Sequence, residues 1–403
     1  MSDTAVRQEP GTRDGSDAAS EREAYRAERA HRPMAACLLA LLAGALALGM
    51  ASLVTHARTD AEFAIDDGAA WRNGEAMRRI DRAIDVPYAS LLRRAGAAAR
   101  YRLLGDLGPQ VREGCPGWLF YADGLRPAPA SLPASPHDAA MSERIATLHR
   151  YADALRRDGK TLVVVTVPDK ARVETEALCG LRQDPRMTAR WDAWRQALAQ
   201  AGIAHVDLLD ALRAVRPAFY RTDVHWNARG AQAAADVVAQ TVLPLVGGRG
   251  PARFTFEHGS GVKPRMGDLV RLAGLDAAPD GWRPALDVEM PETIRPEPSG
   301  GLLDDTPPAQ VLLAGCSFSR RSGFADRLGQ ALGREVWNVS VDDGRFDRAL
   351  AAVWRERASW PAGLRVVIWE MSEDALSEPP AAAKPSLPEP EPAAAGPLPR
   401  NRA

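Results

Sequence analysis

Two short stretches of this 403-residue chain carry residue types suited to nucleophilic chemistry. The first is Thr222-Asp223-Val224-His225-Trp226-Asn227. In an extended segment, side chains two apart point to one side. Asp223 can then orient the imidazole of His225 and leave its other ring nitrogen free as a base. The second is Gly315-Cys316-Ser317-Phe318-Ser319, directly after the apolar run 311–314 and before a helical pattern. A tight turn at the C-terminal end of a parallel strand is where α/β folds present reactive groups. Its backbone N–H groups can stabilise an oxyanion. A serine there is a poor nucleophile until a base takes its proton, and His225 would be that base. Each motif alone is weak, since D-x-H in a loop is commonly a cap and Ser in such a turn commonly an N-cap. Cys316 competes as nucleophile, but strand alternation turns it opposite Ser317, toward the core. Ser319 competes too and reads better as a cap or hydrogen-bond partner. The remaining histidines are scattered, so no metal centre is expected.

Both motifs need a frame. Residues 142–158 form an amphipathic helix, with Ile145, Leu148 and Leu155 at helical spacing. Residues 162–167, LVVVTV, are a β-branched run of the kind buried in a parallel sheet. Helix is expected at 187–201, strand at 203–206, and a helix capped by Asn227 through residue 240. After a Pro/Gly/Asp-rich stretch over 247–308, expected to hold short strands at best, come strand 311–314, helix 323–332, strand 336–339, helix 345–357 and strand 364–369. This alternation argues for an α/β sandwich with a mainly parallel sheet. Residues 117–121, GWLFY, turn into a strand whose aromatics belong to the core, and 127–136 form a loop.

Residues 34–54 run without a charge, and 21 residues suffice to cross a hydrocarbon core of ~30 Å at ~1.5 Å per residue. Arg26, Arg29 and Arg32 precede them and only Arg58 follows closely, which places the N-terminus in the cytoplasm and the remainder outside. A cleaved signal peptide would have an apolar core of ~7–15 residues, so an uncleaved signal-anchor fits better. The expected organisation is a disordered cytoplasmic tail at 1–33, a transmembrane helix at 34–54, a helical linker region at 55–110, a catalytic domain at 111–376 and a disordered Pro/Ala-rich tail at 377–403. The 51 basic and 52 acidic residues leave a net charge of −1 and no electrostatic reason to expect nucleic acid. Four cysteines form no C-x-x-C pair. Cys115 and Cys179 either bridge in an oxidising compartment or remain thiols, and their spacing does not decide.

Taken together the motifs resemble the alginate O-acetyltransferase (AlgX/AlgJ-like) group of SGNH hydrolase-like proteins. The resemblance rests on GWLFY at 117–121, VPDKARVETE at 167–176, TDVHWNARGA at 222–231, GDLVRL at 267–272, GCSFS at 315–319 and VIWEMSED at 367–374, in the family's order. It implies an SGNH-like three-layer sandwich with circularly permuted motif order, the Asp–His element preceding the serine. It also implies Ser317 as nucleophile, His225 as base and Asp223 as orienter. The chain departs from the family at Cys316, at Thr175, at 372–374 and in a reduced glycine-rich stretch over 338–344, which leaves the oxyanion donors open. Lys170 and Arg172 read either as contacts to an anionic or sugar substrate or as solvated or salt-bridged residues. Trp226 reads as a sugar platform or as packing, Asn338 as a substrate contact, Asp268 as holding a turn beside the site, and Glu370 as shaping the pocket floor.

The implied reaction moves an acetyl group onto hydroxyls of an exopolysaccharide, alginate- or cellulose-like, through an acetyl-serine and with no cofactor. The implied partners are the polysaccharide acceptor, a membrane-bound acyltransferase as acetyl donor and other exopolysaccharide export subunits, at the periplasmic face of a bacterial inner membrane. A carbohydrate acetyl-esterase and a non-catalytic glycan-binding subunit of a secretion complex are the alternatives.

Overall fold

The computed structural model describes residues 15–59, 68, 71, 76–77, 79–80, 89–126, 134–297 and 309–376. It divides into two units, Met1–Arg93 and Arg94–Ala403. The first contains helix α1, Gly15–Thr59. Within it Ala35–Thr55 is long and apolar enough to cross a membrane, and Leu38, Leu39, Leu41, Leu42 and Leu46 are exposed. A helix apolar on every side needs an apolar surround rather than one packed face. The expected disordered tail is helical from Gly15 onward. Its Ala, Glu and Arg residues are strong helix formers, and a lack of apolar periodicity does not oppose helix where nothing is to be buried. Residues 1–14, 377–403 and most of 60–88 lie outside the described residues.

Helix α2 runs Ala89–Leu104, and its part within the second unit lays Ala97 and Ala98 against Leu107, Val111, Leu119, Leu269 and Val270. Strands β1 (Val111–Glu113) and β2 (Leu119–Tyr121) form an antiparallel hairpin. Then follow helix α3 (Ala134–Arg157), β3 (Thr161–Val167), α4 (Pro185–Gln200), β4 (Ala204–Asp207) and α5 (Ala228–Val242). Next are β5 (Phe254–His258), β6 (Lys263–Arg265), β7 (Asp287–Glu289), β8 (Glu292–Pro296) and β9 (Val311–Ala314). Helix α6 (Phe324–Leu332), β10 (Val336–Asn338), α7 (Arg348–Trp354) and β11 (Val366–Ser372) complete it. Helix α3 starts at Ala134, eight residues before the expected start at 142, because residues 134–141 carry no breaker after Pro136. The 247–308 stretch holds β5–β8, paired as two small antiparallel sheets.

The central sheet has the order β10-β9-β11-β3-β4, and every pairing is parallel. Strand alternation splits its apolar side chains between two layers. Val163, Val165, Leu313 and Ile368 face α5 and α6, with Ala231, Ala235, Val238 and Leu328. Leu162, Val164, Leu312 and Trp369 face α3, α4 and α7, with Leu148, Trp194 and Leu350. The result is an α/β/α sandwich. Strand β11, late in the chain, lies in the centre between β9 and β3, so the C-terminal ends of β9, β11 and β3 open side by side.

His205 on β4 is packed edge-on against Trp191 with its Nε2 unpartnered among the described residues, and burial pulls its pKa down to about 4 against the opposing pull of Asp207. The unfolded chain takes up this proton near pH 6.5 and the folded chain only near pH 4, so the unfolded state binds more protons between those values. Stability should therefore fall by about 3 kcal/mol as pH drops across that window. Denaturant midpoints measured from pH 7 to 4 should show this slope in the wild type and a flatter one in His205→Gln.

Candidate active site

The turn that carries Ser317 starts where β9 ends. Gly315 and Cys316 leave the sheet, and Ser317 opens a short helix, Ser317–Arg320. Gly315 is required by space, because a Cβ there would collide with the Glu370 carboxylate and the Ser319 side chain. Glu370, on the neighbouring strand β11, braces the turn from below. Its Oε2 accepts from the Cys316 backbone N–H at 2.8 Å and the Ser319 hydroxyl at 2.7 Å, and its Oε1 accepts from the Cys316 thiol at 3.1 Å. Burial raises the Glu370 pKa, and the hydrogen bonds from Ser319 and Cys316 oppose it. Cys316 is buried among core residues, and burial with the adjacent Glu370 pushes its thiol well up. A thiol held protonated is a poor nucleophile. Ser319 is the hydrogen-bond partner expected from sequence. Ser317 is partly exposed on the opposite side.

The loop that carries Asp223 and His225 packs into the same apolar layer as this turn, since its flanking Phe219 and Trp226 share a core with Cys316 and Phe318. His225 Nδ1 lies 2.8 Å from Asp223 Oδ1, and His225 Nε2 lies 2.7 Å from Ser317 Oγ. With Nδ1–H donated to Asp223, Nε2 is left to accept the serine hydroxyl. The stretch is not extended as the sequence suggests. It is an Asx-type bend in which Asp223 Oδ1 also accepts the His225 backbone N–H at 3.1 Å. Burial raises the Asp223 pKa, but the hydrogen bonds and charge of His225 and the Arg265 guanidinium outweigh it and hold the carboxyl below its ordinary range. Phe318 packs on the imidazole with ring centroids 4.9 Å apart.

The loop is held on all sides. Lys170 Nζ donates to the carbonyls of Leu119 (2.7 Å), Arg221 (2.7 Å) and Asp223 (3.1 Å) and stands over the Trp118 and Phe120 rings. Burial lowers its pKa to about 7, opposed by Asp287, Asp223 and Glu174. Asp287 on β7 accepts from the backbone N–H of Arg221 and Thr222 and from the Thr222 hydroxyl. Gly267 packs so closely on Thr222 that no Cβ would fit. Asp268 lies 3.4 Å from His225 Nδ1 and accepts from Arg271 at 3.0 Å. Asp223, His225 and Asp268 form the cluster of possible metal-ligating groups among the described residues. A guanidinium already fills one side of Asp223, which suits a proton relay better than a cation.

A cleft of about 600 Å³ opens over Ser317 and His225, walled by Tyr121, Asp169, Leu272, Phe318 and Gly344. The residues suggested as substrate contacts mostly lie elsewhere. Lys170 borders the cleft, but its ammonium is committed to three carbonyls. Arg172 is buried in a bidentate pair with Glu373, joined by Arg190. Trp226 is fully buried against Phe318 and Phe324, so it packs and cannot stack on a sugar. Asn338 lines a separate hollow behind the turn and caps Ser340. Cys115 and Cys179 are joined in a disulfide that ties the β1–β2 hairpin to the segment after the Lys170 helix. The supports from β6 and β7, Arg265 and Asp287, were not legible, since isolated charges in a Pro/Gly-rich stretch carry no pattern.

Gly315→Ala should displace Glu370 and the serine together. A displacement of ~1 Å at reacting atoms costs on the order of 10²-fold in rate. The variant should therefore lose about that much in kcat toward an acetyl ester while keeping its far-UV circular dichroism spectrum.

The family model for the SGNH hydrolase-like domain of acetyltransferase AlgX matches residues 111–373. The probable alginate O-acetylase AlgJ of Pseudomonas putida is 30% identical over 317 residues, covering 75% of this chain and 80% of that protein. AlgJ of Azotobacter vinelandii is 29% identical over 78% of this chain and 82% of its own length. The solved O-acetyltransferase domain of Pseudomonas putida AlgJ superposes with a TM-score of 0.56 at 28% identity, covering 67% of this chain and 93% of the domain. With an acetyltransferase-type model matched from the β1–β2 hairpin to the end of β11, this chain belongs to the AlgX/AlgJ group of SGNH hydrolase-like proteins.

Proposed function

We propose that this chain transfers acetyl groups to hydroxyls of an exopolysaccharide through an acetyl-Ser317 intermediate. The observation that carries the proposal is the continuous chain of hydrogen bonds from Ser317 Oγ through His225 to the buried Asp223 at the floor of an open cleft. His225 Nε2 takes the serine proton as Oγ attacks the donor ester. The tetrahedral oxyanion forms beside the backbone N–H of Ser317 and the Gly344 segment, which abuts Cys316. On collapse the leaving alcohol takes the proton from His225, and acetyl remains on Oγ. A sugar hydroxyl then enters, gives its proton to His225 and attacks the acetyl carbonyl; on collapse Ser317 Oγ leaves, takes that proton back from His225, and the acetyl stays on the sugar. Asp223 stays a carboxylate throughout and stabilises the imidazolium of each step.

Alginate is the favoured acceptor, because the relatives that match over most of their length are named for alginate O-acetylation. Residues Ala35–Thr55 would anchor the enzyme in the inner membrane with the catalytic unit in the periplasm. The donor there would be a membrane-bound acyltransferase, within a set of export subunits.

Full-length protein in detergent, given 4-nitrophenyl acetate with and without mannuronate oligosaccharide, should acetylate the oligosaccharide, and Ser317→Ala should lose this activity by at least roughly 10³-fold. Acetate release to water that the oligosaccharide leaves unchanged would make the protein an esterase. Full activity in Ser317→Ala would remove the triad.

A further inference from the structure

The β6–β7 region supplies a guanidinium that touches the innermost carboxylate of the site. Asp223 spends its Oδ1 on His225, accepting both the ring Nδ1–H at 2.8 Å and the backbone N–H at 3.1 Å. Its Oδ2 points away from His225, and the side chain is fully buried. A buried carboxylate oxygen with no donor is costly, and the group would turn or take a proton to escape that cost. Arg265 Nη2 donates to Oδ2 at 2.8 Å.

Arg265 is itself fixed. Its guanidinium stands 4.3 Å from the centroid of the Tyr220 ring. The Tyr220 hydroxyl donates to Glu289 Oε2 at 2.7 Å, and the same oxygen lies 3.4 Å from Arg265 Nη1. Tyr220 also donates its backbone N–H to the His225 carbonyl at 3.2 Å, so the ring that carries Arg265 belongs to the loop that carries the base. Arg265, Glu289 and Tyr220 form a closed set around the far side of Asp223.

A competing arrangement lies close by. Asp268 Oδ2 is 3.4 Å from His225 Nδ1 on the solvent side, where Asp268 is 28% exposed. If Asp223 turned, the imidazole could follow Asp268, and Nε2 would no longer point along the 2.7 Å line to Ser317 Oγ. A planar guanidinium locked by stacking and a second carboxylate is well suited to fixing one orientation of a carboxylate.

We infer that Arg265 is a positioning residue of the acetyl-transfer reaction, acting through Asp223 to hold His225 on the Ser317 axis, so that the working unit is Ser317–His225–Asp223–Arg265. The inference rests on the triad reading proposed above. It extends the site into a segment that contributes no group to the cleft chemistry itself.

The test uses full-length protein in detergent, with 4-nitrophenyl acetate as donor. Arg265→Met and Arg265→Gln are made in the wild type and in Asp223→Asn, with melting curves for all. Arg265→Gln keeps a polar side chain but is uncharged and too short to reach Asp223 Oδ2, and it decides the matter if Arg265→Met does not fold. Loss of a residue that orients a reacting group's partner costs roughly 10–100-fold. In the wild-type background kcat should fall by about that factor with KM for the ester within about twofold. In the Asp223→Asn background the same substitution should cost no further activity, because the group it acts through is gone. A residue that only stabilises the fold would lower the melting temperature and leave kcat of the folded fraction intact. Wild-type kcat in folded Arg265→Gln, or an equal loss in both backgrounds, would overturn the inference. Activity surviving in Ser317→Ala would instead overturn the triad reading.

Discussion

A single hydrogen bond, from Ser317 Oγ to His225 Nε2 at 2.7 Å, joins groups 92 positions apart in the chain, and the domain's architecture sets that distance. Ser317 is placed by β9 and His225 by a loop that no strand of the central sheet contains. The two meet only because β11 fills the gap between β9 and β3 and brings Glu370 under one of them and Glu373 beside the other wall. Glu370 grips the nucleophile turn through three donors. Glu373 holds Arg172 and the backbone N–H of Asp169, which fixes the turn bearing Lys170. One central strand therefore references both halves of the site to a common frame.

The supports are charged and buried, which is an expensive way to stabilise a fold. Buried ion pairs gain little over apolar packing, yet removing one partner is costly. Their value here is directional. Lys170 binds three carbonyls, one on β2 and two on the loop that carries Asp223, Asp287 binds four donors of Arg221 and Thr222, and Arg265 closes on Asp223. Each fixes an orientation that apolar contacts, which are non-directional, could not specify. Phe318 packs against the imidazole, and Trp226 and Phe219 pack against Phe318 in turn.

Most of the frame was legible in the sequence. LVVVTV and VLLA could only be interior parallel strands, and Asn227 caps α5 as its position before the helix implied, accepting from the Gly230 N–H. Asp223, His225 and Ser317 could be named because the two motifs, each weak alone, together match a family. What escaped were contacts between distant residues. Nothing local distinguishes the lysine at 170 or the arginine at 172 as buried rather than substrate-facing, since their partners lie on other elements. Arg265 and Asp287 sit in short strands with no periodicity to mark them. Trp226 follows His225, but the bend at Asp223 turns it inward, which an extended reading of the segment does not anticipate.

The covalent step is the most direct point of attack. Full-length protein mixed with 4-nitrophenyl acetate and quenched in acid during turnover should yield one acetylated peptide on proteolysis and mass spectrometry, with the acetyl group on Ser317 and none in His225→Ala. Acetyl found on Cys316 or Ser319, or equal labelling of Ser317 without His225, would contradict the proposed relay.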